Sequence, residues 1–311
     1  MNWSDVLRNA RVLLLVGPTA VGKTGLSLEI AQTLGGEIVS ADSRQIYRYM
    51  DIGTAKPTFD ERAVVPHHFI DTKDPDELYS AGEYGRDARA VIQDLLQKDI
   101  VPVVVGGSGF YIRALVDGLF APEISDHEVK EKWRRRLVTK GREAVFAELE
   151  RVDPRTAERL HINDTQRIVR ALEVYELTGK PISQFQEGQE EPADFEPVFI
   201  GLERDRSELV QRIEQRVDLM MDQGLMQEVQ ALLEKGFSPD VNALATVGYQ
   251  EVVAYLQGEY DFEEMVEQIK IHTRQYSKRQ MTWFRRDLRV NWLNLTGMAR
   301  EEQIQAVFQI W

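Results

Sequence analysis

Cysteine is absent from the 311 residues, so disulfides, thiolate nucleophiles and cysteine-bound metals are excluded. Long apolar runs are missing too. The run VLLLV behind MNWSDVLRNAR suits a core strand and is too short for a signal peptide or a membrane span. No later segment approaches spanning length, and a soluble, cytoplasmic protein without membrane contact is expected. Excess positive charge is lacking as well, since 38 Lys and Arg face 51 Asp and Glu for a net charge of −13. That balance argues against a generally sticky nucleic-acid binder. It does not exclude local phosphate contact, because the basic residues cluster. KEKWRRRLVTKGR (130–142) is one basic window. KIHTRQYSKRQMTWFRRDLR (270–289) is the other, and Asp287 is its only acid. Either window is also compatible with a solvated helix face.

What is present begins with GPTAVGKT, which matches G-x-x-x-x-G-K-[ST] between an apolar strand and an amphipathic helix. Gly17, Pro18, Thr19, Ala20, Val21, Gly22, Lys23 and Thr24 form a phosphate loop on this reading. Lys23 bridges phosphate oxygens, and the Thr24 hydroxyl is offered to Mg²⁺. The usual companions of nucleotide hydrolysis are missing. Asn-Lys, needed for the guanine motif, never occurs, and D-x-x-G is absent. The strand VPVVV ends in Gly106-Gly107-Ser108-Gly109 where an ATPase would carry a metal-binding acid. The strand EIVSAD does end in an acid, Asp42, at the crevice side of the sheet. Base, metal ligand and helix cap all remain open for that carboxylate.

The chain order predicts the architecture. RVLLLVG, EIVSAD, HHFID and DIVPVVVGG alternate with helical segments, one of them opened by a Ser80–Glu83 capping box. Apolar strands alternating with helices predict a parallel sheet covered on both faces. From about residue 121 to 196 the pattern is helical, and PVFIGL then returns to strand. The fold class expected is α/β: a P-loop NTPase-like core over 1–120 and 197–311, interrupted by an all-helical insertion over 121–196.

At this point the chain resembles the tRNA dimethylallyltransferases, also called tRNA isopentenyltransferases. The resemblance rests on GPTAVGKT, ADSRQIY, MDIGTAKP, PHHFID, YSAGEY, VVVGGSGFY, NDTQRIVRALEV, RIEQRVDLM, VGYQE and TRQYSKRQMTWFR, in order over nearly the whole chain. It implies transfer of a dimethylallyl group from dimethylallyl diphosphate to N6 of the adenosine at tRNA position 37. The loop would then hold the donor's diphosphate rather than a nucleotide, with Mg²⁺ at Thr24. Asp42 would be the general base, and Thr24 and Arg216 would stabilise the leaving diphosphate; Arg212, i,i+4 from Arg216, could share that duty. The tRNA anticodon stem-loop would meet Asp42, Ser43, Arg44, Gln45 and Ser108 in the crevice. It would meet Lys130, Gln166, Arg167, Ile168, Val169 and Arg170 on the insertion. In the second half of the core it would meet Gly248, Tyr249, Lys278, Arg279 and Arg285. Trp283 and Phe284 are expected to be partly core, and His67-His68 to pack rather than bind metal. A monomer is expected. The rivals are a small-molecule P-loop kinase, a non-catalytic RNA-binding NTPase switch, and a relative that prenylates free adenine nucleotides. The longer members' C-terminal zinc finger has no counterpart in this cysteine-free sequence.

Overall fold

The computed structural model describes residues 10–118, 126–186 and 191–311. Two compact units divide the chain: Met1–Val116 with Ala193–Trp311, and Asp117–Pro192.

In the first unit six parallel strands lie in the order β3-β2-β4-β1-β5-β6, with β1 Arg11–Val16, β2 Glu37–Ala41, β3 His67–His68, β4 Pro102–Gly106, β5 Glu196–Glu203 and β6 Asn291–Asn294. Their register is in phase: Leu14 pairs with Val104 on one side and with Phe199 on the other. The unbroken apolar run of β1 follows from burial on both faces. Val12, Leu14 and Val16 point into one core with Val39, Val104, Tyr84 and Phe199. Leu13 and Leu15 point into the opposite core with Leu26, Ile30, Val103 and Ile200. The alternation comes from the two-residue repeat of a strand. HHFID yields only a two-residue edge strand, while RVNWLNL closes the other edge beside β5.

All six strands run the same way, so the segments that follow β1, β2, β4 and β5 emerge at one edge. That edge is where open α/β sheets bind ligands. A third core lies behind it, formed by Tyr47, Met50, Val217, Leu225, Tyr249, Val252 and Ile269, so the chain after β5 buries the segment after β2.

The second unit is helical. Helices His127–Val152, Pro154–Ala157, Thr165–Thr178 and Ile182–Gln186 enclose Trp133, Val145, Leu149, Ile168, Leu172 and Val174. The longest of them contains Gly141 at φ 83°, which breaks the helical path inside the basic window. Gly179 ends the Thr165–Thr178 helix in the left-handed conformation, as its position past the last apolar residue predicts.

Candidate active site

The phosphate loop leaves β1 under tight constraint. Gly17 has φ 149°, and a Cβ there would lie 2.6 Å from the Leu202 carbonyl oxygen of neighbouring β5. The helix Lys23–Leu34 begins at Gly22, with no side-chain cap among the described residues. Its first-turn N–H groups therefore point into the loop, the arrangement that binds anions. The Lys23 ammonium donates to the carbonyls of Gly17 at 2.9 Å and Pro18 at 2.8 Å. Burial lowers its pKa to about 8, with the Asp42 charge opposing that drop and Arg216 adding to it. Burial also lowers the pKa of Arg216, again opposed by Asp42. Two desolvated cations and one carboxylate thus share the crevice, and a bound polyanion would relieve the cations.

Side chains from distant segments hold the loop from outside. The Thr19 N–H donates to Gln280 Oε1 at 2.8 Å. Arg212 Nε donates to the Ala20 carbonyl at 2.8 Å, and Arg204 Nε donates to the Val21 carbonyl at 2.9 Å. Ala20 is a non-glycine residue at φ 64°. Such a residue stays left-handed only where its surroundings hold it, as the bonds on either side do here. Arg212 is therefore not a solvated helix charge. It braces the phosphate loop through its backbone.

Asp42 follows β2. Its Oδ1 accepts the Arg44 N–H at 2.9 Å and, at 3.4 Å, the Gln45 N–H. No bond to Oδ2 exists among the described residues. The carboxylate thus caps its own turn with one oxygen and keeps the other available, so cap and base are compatible roles. Ser108, from the loop after β4, accepts the Ser43 N–H at 3.0 Å and bonds the Ser43 hydroxyl at 3.2 Å. Gly106 permits this junction, because a Cβ there would lie 2.1 Å from the Ala41 carbonyl oxygen. Tyr276 faces the same place, its hydroxyl pushed up to about 12 by burial and then by the Asp42 charge.

The sequence-predicted residues divide between surface and core. Gly17 to Thr24, Asp42, Ser43, Arg44, Ser108 and Arg216 share the crevice end of the sheet. Lys278, Arg279 and Arg285 are exposed on one stretch of the helix Phe262–Phe284 and its end, with Arg285 paired to Glu203. On the helical unit Gln166 and Arg167 are exposed, Lys130 is partly so, and Arg170 pairs with Glu173. Four expectations of direct RNA contact are corrected. Ile168 and Val169 are buried in the helical core, because they fall on the inner side of their helix. Tyr249 is wholly buried and donates its hydroxyl to Glu228 at 2.5 Å. Gly248 is buried and donates its N–H to Glu251 at 2.6 Å. Gln45 is half-buried, its amide donating to the carbonyls of Thr54 and Ala55. Phe284 is core and Trp283 partly so, the latter against Phe110 with ring centroids 4.5 Å apart. His67 bonds the Val65 carbonyl and His68 bonds Glu37, so both pack as expected.

Sequence reasoning missed Gln280 and Arg204. Gln280 lies inside the matching segment TRQYSKRQMTWFR but as a neutral residue in a basic window, and Arg204 simply follows a strand end. Only the fold brings them to the loop.

For Mg²⁺, no group of three or more His, Asp or Glu that could hold a metal exists among the described residues. Mg²⁺ bound with phosphates usually has few protein ligands besides substrate oxygens and water, so the group to weigh here is the Thr24 hydroxyl. Thr24 stands half-buried in the first turn of the helix Lys23–Leu34, directly after the loop.

Comparisons with known proteins converge. The family model IPP transferase matches residues 45–287. A tRNA dimethylallyltransferase of Halothermothrix orenii is 44% identical over 93% of this chain and 88% of its own. One of Thermotoga neapolitana is 47% identical over 94% of this chain and 95% of its own. The crystal structure of a tRNA isopentenylpyrophosphate transferase from Staphylococcus epidermidis superposes with TM-score 0.71 at 37% identity, covering 97% of this chain and 98% of that one. A eukaryotic dimethylallyltransferase acting on tRNA superposes with TM-score 0.82 at 29% identity, over 97% of this chain and 78% of that one. The phosphate loop without hydrolytic companions, the acid after β2 and the matched length all agree: the chain belongs to the IPP transferase family.

Proposed function

We propose that this chain transfers the dimethylallyl group of dimethylallyl diphosphate to N6 of the adenosine at position 37 of tRNA. The observation that carries the reading is the juxtaposition of a phosphate loop and Asp42 at one sheet edge, with a glycine ending β4 where a hydrolase would place its acid. The names of the relatives support the same reaction and do not favour a kinase.

The chemistry follows from the groups present. N6 of adenine attacks C1 of the donor; the N6–C1 bond forms, the C1–O bond breaks, and diphosphate leaves as a unit. An exocyclic amine is a weak nucleophile, and the unbonded Oδ2 of Asp42 takes its proton. Lys23 and Arg216 meet the charge that grows on the departing diphosphate, in a buried setting where such contacts are strong. Bound Mg²⁺, held by Thr24 and the diphosphate, would add further neutralisation of that charge. Ser43, Arg44 and Ser108 border the place where adenine must sit, and a base reaches it only after leaving its stack. Gln166 and Arg167 on the helical unit, and Lys278, Arg279 and Arg285 on the core, supply phosphate contacts for the anticodon stem-loop. The protein acts as a monomer, in the cytoplasm where tRNA is; no helix among the described residues is long and apolar enough to cross a membrane.

The test is single-turnover transfer from radiolabelled dimethylallyl diphosphate to unmodified tRNA, with Mg²⁺ and no nucleotide. Label should enter tRNA with the wild-type chain. With Asp42→Ala the rate should fall by roughly 10²- to 10⁴-fold, the usual worth of a positioned base. A strict need for ATP, or an Asp42→Ala variant as fast as wild type, would sink the proposal.

A further inference from the structure

The helix Phe262–Phe284 has two unlike faces. Lys278 and Arg279 lie exposed on one. The other meets the loop after β4 residue by residue. Tyr276 approaches the Ser108 side chain. Gln280 Nε2 donates to the Gly107 carbonyl at 3.0 Å. Trp283 covers Gly109, where an added Cβ would lie 2.1 Å from the indole nitrogen. Positions 276, 280 and 283 are spaced i, i+4, i+7 and form one helical stripe.

Gln280 has a second contact. Its Oε1 accepts the Thr19 N–H of the phosphate loop at 2.8 Å. Only 6% of the residue is exposed. One buried amide therefore ties the phosphate loop to the glycine-rich loop, donating to one and accepting from the other. The contact with the glycine-rich loop is close, since a Cβ on Gly107 would fall 2.1 Å from Gln280 Nε2.

We infer that Gln280 is a positioning residue that sets the separation between the loop holding the donor's diphosphate and the loop beside the adenine. The inference rests on the transfer reaction proposed above. In that reaction the attacking nitrogen and the acceptor carbon must come within about 3–3.5 Å, and small misplacements cost large factors in rate. Each substrate is gripped by its own loop, so whatever fixes one loop against the other fixes that distance. A glutamine suits the task because its planar amide carries an NH₂ donor beside a carbonyl acceptor, and both ends are used here. Gln280 is covered by both loops, so its loss falls on the chemical step and not on capture of tRNA.

The experiment measures kcat and KM for transfer in Gln280→Leu and Gln280→Glu, in the full chain, at several pH values. Gln280→Leu should lower kcat by about 10²-fold while KM for tRNA stays within about twofold. In Gln280→Glu the ionised carboxylate still accepts from Thr19 but cannot donate to Gly107. Once protonated it can do both, and burial favours that neutral form. The ratio of variant to wild-type kcat should therefore rise severalfold from about pH 8 to about pH 6. If Gln280→Leu does not fold, this pH signature alone decides. A pH-independent ratio for Gln280→Glu, or a loss of kcat that only follows a loss of melting temperature, would overturn the inference. Absence of transfer by the wild-type chain would instead overturn the proposed function, and the inference with it.

Discussion

The phosphate loop and the helix Thr165–Thr178 both present a contiguous run that matches the family, and the two runs behave in opposite ways. In GPTAVGKT the backbone serves one purpose throughout, even though the Val21 side chain packs into the core. The backbone curls around an anion site, so neighbours in sequence are neighbours in the site. In QRIVR the purpose changes within three residues. Gln166 and Arg167 face outward, Ile168 and Val169 are core, and Arg170 returns to pair with Glu173. Each step along a helix rotates the side chain by about 100°, so a contiguous helical motif always serves two masters. A loop motif can be carried over whole. A helical one must be divided by face.

Substitutions in the two runs test that contrast, and the helix should show the largest effect. Ile168→Ala removes a fully buried side chain from the helical core and should cost about 2–5 kcal/mol in chemical denaturation. Its neighbour Arg167→Ala should change stability by less than about 0.5 kcal/mol yet weaken binding of tRNA. Equal stability losses at the two positions would break the division by face.

The loop should reveal itself through protons. Lys23 in the free protein has its pKa lowered to about 8, chiefly by burial. A bound diphosphate favours the charged ammonium and raises that value. Affinity is then fully present below pH 8 and falls as pH rises through it, by up to roughly tenfold per unit. Calorimetry near pH 8 in buffers of different ionisation enthalpy should record proton uptake on binding. No uptake would mean that Lys23 is already charged in the empty loop.

The smallest effect belongs to the exposed cations. Arg279→Ala should reduce the salt dependence of tRNA affinity by about 0.7–0.9 in log–log slope, one phosphate contact, and leave diphosphate affinity unchanged. An unchanged slope would take the outer face of that helix out of the RNA contact.

Much of this site is legible along the chain because its parts are backbone devices. Glycines at 17 and 106 mark close approaches, Gly22 a left-handed turn, and Asp42 follows a strand at the crevice edge. The α/β order and the helical interruption follow from hydrophobic periodicity. What stayed hidden was who holds the loop. Gln280 reaches Thr19 across 261 residues of sequence, and Arg204 reaches Val21 across 183. Tyr249 could not be known as core either, since its partner Glu228 lies on another helix. Local chemistry, set by residue type and spacing, determined the parallel sheet, the phosphate loop and the poised carboxylate. Tertiary packing alone decided which side chains brace that loop and which matched residues vanish inward, because burial depends on what lies opposite, and no residue carries that in its own identity.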